Sequence, residues 1–372
     1  MGKEFKVTPW EVSGDIDYDK IVNEFGIQKI DENLLNLLKK YTKDIHYLLR
    51  RRIFFAHRDV KWLLDQYEKG NKFFLYTGRA PSGMIHLGHL VPWMFIKWLQ
   101  DKFKCDLWFQ FPDEEKFLFK EKLTLADTEK YLNENMLDII ALGFDPKKTK
   151  FLIDTKHANL LYKQAVRVAK KITFSTVKAA FGFGNETNIG AIFYTAMQAV
   201  PAFLPSVLAG KNIPCLIPLG FDQDPHFRVA RDVIVKLGYY NPAIIHCRFM
   251  PSLQGSGKMS SSIEESSIYT TDDAKTVEMK IKKHAFSGGR ETVEEHRKHG
   301  GNPDIDSSYQ ILNYFEPDDK KLIKVYNDYK SGKLLTGELK EMTIEFVNKF
   351  LKEHQKKREQ ARKVVDKFIY KD

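Results

Sequence analysis

Phe73-Phe74-Leu75-Tyr76, running through Thr77-Gly78-Arg79 to His86-Leu87-Gly88-His89, is the stretch that decides the fold. Four consecutive apolar residues read as a short buried strand. A loop carrying Pro81 and Gly83 follows it. A helix then opens at Gly88, with Pro92 expected in its first turn, where a missing N–H costs nothing. Leu87, Val91, Met94 and Trp98 keep the three-four spacing of one buried helix face. Strand, loop and helix in this order form the opening unit of a parallel α/β sheet.

The same grammar recurs downstream. Leu107-Trp108-Phe109, Phe151-Leu152-Ile153, Leu216-Ile217-Pro218 and Ala243-Ile244-Ile245-His246 read as further strands. Thr124 with Asp127 caps one intervening helix and Gly143 closes it, while Asp224-Pro225 starts another that Gly238 ends. The expected fold is therefore α/β: a doubly wound parallel Rossmann-type sheet over 71–265, with an inserted helical segment near 155–210. Beyond about 266 the strand signals stop. Leu339, Met342, Phe346 and Phe350 then share one face of a helix begun at Thr336, within an α-helical carboxyl-terminal domain, 266–372. Residues 1–70 read as an extension of short polar and helical segments, with Arg50-Arg51-Arg52 as a solvated helix end. Sheets of this kind bind ligands at the carboxyl ends of their strands, which singles out Tyr76, Gln110 and the segment from Asp222.

Composition narrows the class. A chain of 372 residues with 43% hydrophobic and 13% aromatic content can build two or three cored domains. A net charge of +10, from 59 basic and 49 acidic residues, points to a polyanionic partner. The basic excess is local: residues 349–371 hold nine lysines and arginines against three acids. Cys105, Cys215 and Cys247 are scattered and form no CxxC pair, which speaks against a disulfide framework or a zinc site. No protein ligand set for a metal is expected. No apolar run of about 18 residues is present and the amino terminus has no apolar signal core, so the expected location is cytoplasmic, with no membrane partner.

Two segments carry the chemistry. His86 and His89, with Gly88 between them, set imidazoles and free backbone N–H groups at a helix amino terminus, an inherent anion site. On its own an HxGH turn says only adenylyl transfer, as in small-molecule nucleotidylyltransferases. Lys258-Met259-Ser260-Ser261-Ser262 lies 172 residues beyond His86 and puts one lysine and several hydroxyls into a loop flanked by Gly255 and Gly257. Such a lysine can reach a polyphosphate when the loop closes and withdraw to release product.

The pair resembles the HIGH and KMSKS signatures of class I aminoacyl-tRNA synthetases, with Ser261 where a second lysine is usual. Further segments look like the tryptophanyl-tRNA synthetase family in its eukaryotic cytosolic and archaeal branch. They are Gln110-Phe111-Pro112-Asp113-Glu114-Glu115-Lys116, the run from Gly220 to His226, and His284-Ala285-Phe286-Ser287-Gly288-Gly289-Arg290. Val7-Thr8-Pro9-Trp10, Ile16-Asp17-Tyr18-Asp19-Lys20 and Gly300-Gly301-Asn302-Pro303-Asp304 extend the likeness over nearly the whole chain. Pro112 and Ala80 depart from the pattern of the relatives.

The resemblance implies an ATP-dependent ligase. It would activate L-tryptophan with ATP and Mg²⁺ to tryptophanyl-adenylate and pyrophosphate, then load the 3′-terminal adenosine of the tryptophan tRNA. His86, His89, Lys116 and Lys258 match its catalytic positions, and Gly78, Arg79, Gly88, Met259 and Ser260 would complete the ATP site. Tyr76 and Gln223 would bond the indole N–H, Gln110, Glu115 and Gln198 would hold the α-amino group, and Asp222 belongs to the same tryptophan site. The family further implies a homodimer through the 155–210 insertion, tRNA spanning both subunits, and an anticodon-binding role for 266–372. Two alternatives stand beside this reading. One is a tyrosyl-tRNA synthetase, against which the 285–290 and 300–304 segments speak. The other is a synthetase-like binding protein without catalysis, against which both intact signatures speak.

Overall fold

The computed structural model describes residues 6–7, 12–13, 18–255, 257–260 and 263–371. A small antiparallel ribbon, β1 (Lys6–Val7) with β2 (Val12–Ser13), precedes the main sheet. That sheet comprises β3 (Gln28–Lys29), β4 (Phe54–Arg58), β5 (Phe74–Gly78), β6 (Leu107–Phe111), β7 (Thr149–Ile153), β8 (Cys215–Gly220) and β9 (Ala243–Cys247). Its spatial order is β3-β4-β9-β8-β5-β6-β7. The five strands from β9 to β7 are parallel, as the alternation of strands and helices predicts. The chain runs outward through β5, β6 and β7, then returns to lay β8 on the other side of β5. This reversal opens a crevice at the carboxyl ends of β5 and β8, where ligands of doubly wound sheets lie.

Two features differ from the reading above. The amino-terminal extension supplies two strands, β3 and β4, which pair antiparallel and widen the sheet beyond β9. Phe54-Phe55-Ala56 is buried on both faces, so it shows none of the alternation that marks a half-exposed strand. Pro92 is not in a first turn. The helix spans Leu87–Phe103 with His86 as its N-cap, which makes Pro92 the sixth residue. Lacking an N–H, it leaves the Gly88 carbonyl without its usual helical donor.

The insertion between β7 and β8 contributes helices Ala158–Ala169, Phe174–Phe181, Ile189–Met197 and Leu204–Ala209. Five helices follow β9: Ala274–His284, Val293–His299, Ser307–Phe315, Asp319–Lys330 and Thr336–Ala361. The last three build a small core of their own around Tyr309, Leu322, Tyr329 and Leu339.

Polar ties join this helical unit to the sheet. Arg51, with only 9% of its side chain exposed, forks onto Asp319 at 2.6 and 2.9 Å and also donates to the Asn313 carbonyl. The arginine run is thus a clasp, not a solvated end. The Thr336–Ala361 helix packs on Leu125–Ala141, where His354 Nε2 and Arg358 Nε lie 2.9 and 3.0 Å from the fully buried Asp138 carboxylate, and Arg358 reaches Glu134 at 2.8 Å. Past that helix the chain returns to the sheet. Phe151 N–H donates to Phe368 C=O and Tyr370 N–H to Phe151 C=O, covering the free edge of β7. Among the described residues no helix is long and apolar enough to cross a membrane, and the three cysteines are buried and unbridged.

Removing one member of a buried charge cluster strands the others. Asp138→Ala should therefore lower the unfolding free energy by about 3–5 kcal/mol. Asp138→Asn, which keeps an acceptor for His354, should lose less. Denaturant melts of the two variants decide it, and a loss under about 1 kcal/mol for the alanine variant contradicts the assignment.

Candidate active site

The two signature segments meet at the mouth of the crevice. Leu87 N–H donates to Ile268 C=O at 3.0 Å and Thr270 N–H to Ile85 C=O at 2.9 Å, zipping the chain just after the lysine loop onto the histidine turn. The lysine itself sits in a short hairpin: Pro251 bridges Lys258, and Met259 N–H donates to Met250 C=O at 2.9 Å. Gly88 is needed here. A Cβ at that position would stand 3.1 Å from the His86 ring and 3.5 Å from Met250 Cβ, so a side chain would press the hairpin away. Met259 is buried, and Ser260 exchanges hydrogen bonds with the Ser267 hydroxyl. Ser261 and Ser262 lie outside the described residues, as do Thr8 to Trp10 and Ile16-Asp17.

His86 and His89 stack face to face with centroids 3.6 Å apart. The His86 backbone N–H donates to His89 Nδ1 at 3.2 Å, which leaves the His89 proton on Nε2. Burial, reinforced by Arg79 and Lys258, pushes His86 down to about 3 and His89 well below its ordinary value. Both rings are therefore neutral hydrogen-bonding groups. His86 Nδ1 is buried with no hydrogen-bond partner among the described residues. Lys258 Nζ donates to Asp222 at 2.8 Å and lies over the Phe249 ring.

Arg79 follows β5. Its backbone N–H donates to Gln110 C=O, and burial lowers its guanidinium to about 10. Asn135, fully buried, accepts from Arg79 Nε at 3.4 Å and donates to Gly83 C=O at 3.0 Å. One amide thus holds both the arginine and the loop before the histidine turn. Arg79 Nη2 has no protein partner. Gly78 lets β5 and β6 approach, since a Cβ there would be 3.1 Å from the Gln110 carbonyl.

On the other side of β5 a second polar chain begins. Tyr76 donates its phenolic proton to Gln110 Oε1 at 2.6 Å, with Gln198 C=O at 3.2 Å, and Gln110 Nε2 donates to Asp154 at 2.7 Å. Tyr194 donates to Glu115 Oε2 at 3.1 Å, and Lys116 pairs with Glu115 Oε1 at 2.6 Å. Burial, with repulsion from neighbouring acids, raises Glu114 to about 8 and lifts Asp154 well above the carboxylate range. Asp154 Oδ1, Glu114 Oε2 and Gln198 Oε1 are buried, with no hydrogen bond of ordinary geometry to a described residue. Acceptors of this kind suit an incoming ammonium group.

The structure thus groups His86, Gly88, His89, Arg79 and Lys258 on the helix side of the crevice, and Tyr76, Gln110, Glu115, Lys116 and Gln198 opposite. Asp222 stands with Lys258, and Gln223, in the same turn (Phe221–Gln223), makes no side-chain hydrogen bond to a described residue. Sequence reading missed three residues. Asp154 had a signal, being the acid immediately after β7 at the sheet's ligand end. Asn135 and Tyr194 lie inside helices and had none.

Comparison with known proteins adds the lineage. The family model described as tRNA synthetases class I (W and Y) matches residues 68–352. The chain belongs to this family. The class I synthetase is 52% identical to a tryptophan–tRNA ligase of Sulfurisphaera tokodaii, over 100% of this chain and 96% of that one. A solved product-bound parasite tRNA synthetase superposes with a TM-score of 0.92 at 41% identity, covering 96% of this chain and 97% of the other. A tryptophanyl-tRNA synthetase from Encephalitozoon cuniculi, solved bound to tryptophan, gives 0.88 at 38% identity, covering 96% and 98%.

The imidazoles of this synthetase have a measurable signature. With a folded-state value near 3 against about 6.5 unfolded, His86 adds nothing to stability above pH 6.5. As pH falls from there toward 3, the unfolded chain binds a proton that the folded one refuses, so stability declines. NMR should show His86 and His89 neutral from pH 8 to 5; a titration midpoint near 6.5 for either ring contradicts the buried arrangement.

Proposed function

We propose that this chain is an ATP-dependent tryptophan–tRNA ligase, forming tryptophanyl-adenylate and then loading the terminal adenosine of its tRNA. One observation carries the reading. Neutral imidazoles, a lysine on a hairpin and an ammonium-seeking acid pocket converge at the switch point of one sheet. The relatives above, which carry the tryptophan ligase name at about half identity over full length, support the same activity.

The chemistry asks for placement, not for a protein nucleophile. The tryptophan carboxylate, already ionised, attacks the α-phosphorus. The bond from that phosphorus to the bridging oxygen breaks, and pyrophosphate leaves with the electron pair. Mg²⁺ arrives with ATP as part of the substrate. His89 offers its Nε2–H to phosphate oxygens, while Arg79 uses its unpartnered Nη2. Lys258 exchanges Asp222 for the charge growing on the departing pyrophosphate. The α-ammonium group settles beside Gln110, Glu115 and Gln198, where its positive charge favours ionisation of the Glu114 and Asp154 carboxyls that burial holds protonated. The indole N–H is taken by the Tyr76 oxygen, whose own proton is committed to Gln110, together with Gln223. A phenyl substrate leaves those acceptors unpaired, a discrimination of roughly 10⁴–10⁵.

The adenylate is then attacked by the 2′-hydroxyl of the terminal adenosine. Helices of 266–372 read the unstacked bases of the anticodon loop. The exposed apolar side chains Tyr162, Val166, Phe174 and Ile189, all on the insertion, support a homodimer through that face.

Lys258→Ala should slow tryptophan-dependent pyrophosphate exchange by roughly 10²–10³ while tryptophan still binds; exchange at the parental rate removes Lys258 from the mechanism. Tyrosine should not support exchange, and tyrosine-dependent turnover would assign the other amino acid of the family. Asn135→Ala, which frees a buried guanidinium, should lower kcat/KM for ATP roughly tenfold or more with KM for tryptophan unchanged. An equal loss for both substrates would show that Asn135 only supports the fold.

A further inference from the structure

A large cavity of about 840 Å³ opens at the end of the sheet opposite to the crevice. Residues at the amino-terminal starts of β5, β6, β7 and β8 line it, among them Phe74, Asp106, Lys148 and Pro214. Each five-residue strand rises roughly 3.3 Å per residue, so about 15 Å of sheet separates this cavity from the candidate active site. Its volume falls in the range of roughly 300–1,000 Å³ typical of small-molecule sites.

The lining is charged in one sense. Lys72, Lys104, Lys148, Lys150 and Lys211 face a single acid, Asp106. Lys150 is 3.5 Å from Asp106 and 4.8 Å from the Trp108 ring, whereas the other four lysines make no ion pair with a described residue. A simpler account is that lysines neutralise helix carboxyl ends, and three helices do end here, at Glu68, Phe103 and Ala209. Each such end carries roughly half a negative charge. Three ends offset about 1.5 charges, while the lining side chains carry a net of four, so a clear positive excess remains. Concave walls concentrate that field. The inner wall is aromatic: Phe74 and Trp108 are each 3% exposed, and Tyr370 packs on Trp108 at 5.1 Å, held there by the returning terminal segment.

We propose that this cavity is a second nucleotide site, taking a nucleoside di- or triphosphate with its phosphates among the lysines and its base against Tyr370, the partly exposed ring that backs onto Trp108. Residual positive charge matches the polyphosphate, and the aromatic wall matches a flat heterocycle, which an inorganic anion would leave unused.

Calorimetric titration of the full chain with ATP, in the absence of tryptophan, tests it. Two equivalents per chain are expected. Lys104→Glu with Lys211→Glu, both exposed and remote from the crevice, should weaken one equivalent at least about tenfold and leave pyrophosphate exchange unchanged. Inorganic tripolyphosphate should compete for that equivalent about tenfold less tightly than ATP, and ATP binding there should alter Trp108 fluorescence, a signal lost in Trp108→Phe. A single equivalent indifferent to the double substitution overturns the proposal, and tripolyphosphate binding as tightly as ATP overturns the base-binding wall. The active-site reading is tested separately, because Lys258→Ala should slow pyrophosphate exchange and leave this second equivalent unchanged.

Discussion

Two backbone hydrogen bonds, Leu87 to Ile268 and Thr270 to Ile85, hold the catalytic end of this molecule together. They join segments about 180 residues apart and set the lysine hairpin above the histidine turn. Because they involve main chain only, they fix the base of the loop without fixing Lys258. The lysine rests instead on Asp222, with 29% of its side chain exposed. A pair so placed contributes at most about 1 kcal/mol. A polyphosphate can therefore take Lys258 from Asp222 at little cost, while the hairpin beneath stays where the two backbone bonds put it. A rigid base and a weak clasp are what a transition-state contact requires, since the lysine need not bind the ground state strongly to be in reach.

Parts of this arrangement were legible in the sequence for definite reasons. The five parallel strands are short apolar runs bounded by turn residues, and the cap at Thr124 is local hydrogen-bond chemistry. The histidine turn and lysine loop announced themselves through residue type and spacing. What stayed hidden depends on partners distant in the chain. Strand β4 reads as apolar residues without a period, and only pairing with β9 makes it a strand. Arg51 became a clasp because Asp319 folds to meet it, 268 residues on. Asn135 looked like any polar residue in a helix until the fold carried Arg79 and Gly83 to it. Pro92 misled because it lies beyond the first turn whether the helix is counted from Gly88 or from its actual start at Leu87.

The amino-terminal extension reaches the site through a buried triad. Arg58, on β4, donates to the Phe25 carbonyl and approaches Asp224 at 3.3 Å, and His246 on β9 sits 2.7 Å from the same carboxylate. Burial works against ionisation of Asp224, yet His246 and Arg58 hold its carboxyl below the usual range. Asp224 begins the helix directly after Asp222 and Gln223. Position of that turn, and so of the acceptor on which Lys258 rests, is thus set by a strand the catalytic sheet borrows from the extension. A buried charged cluster of this kind adds little net stability but tolerates only one arrangement, which suits a turn that must present two side chains accurately.

Charge is divided across the crevice in a way that orders its ligands. On the helix side Arg79 and Lys258 are cationic, Lys258 is paired with Asp222, and burial keeps both imidazoles neutral. Opposite stand the carboxyls of Asp113, Glu114, Glu115 and Asp154, of which burial and neighbouring acids hold Glu114 and Asp154 protonated, while Glu115 is paired with Lys116. In the reading proposed above, an entering amino acid would set its ammonium beside these carboxyls and its carboxylate toward the phosphate side. Neutral imidazoles matter to that outcome. Two imidazolium rings would compete with the α-phosphate for the carboxylate, whereas neutral N–H donors favour phosphate oxygens without capturing the nucleophile. In that reading, the burial that costs the histidines their protons would leave the substrate carboxylate free to attack.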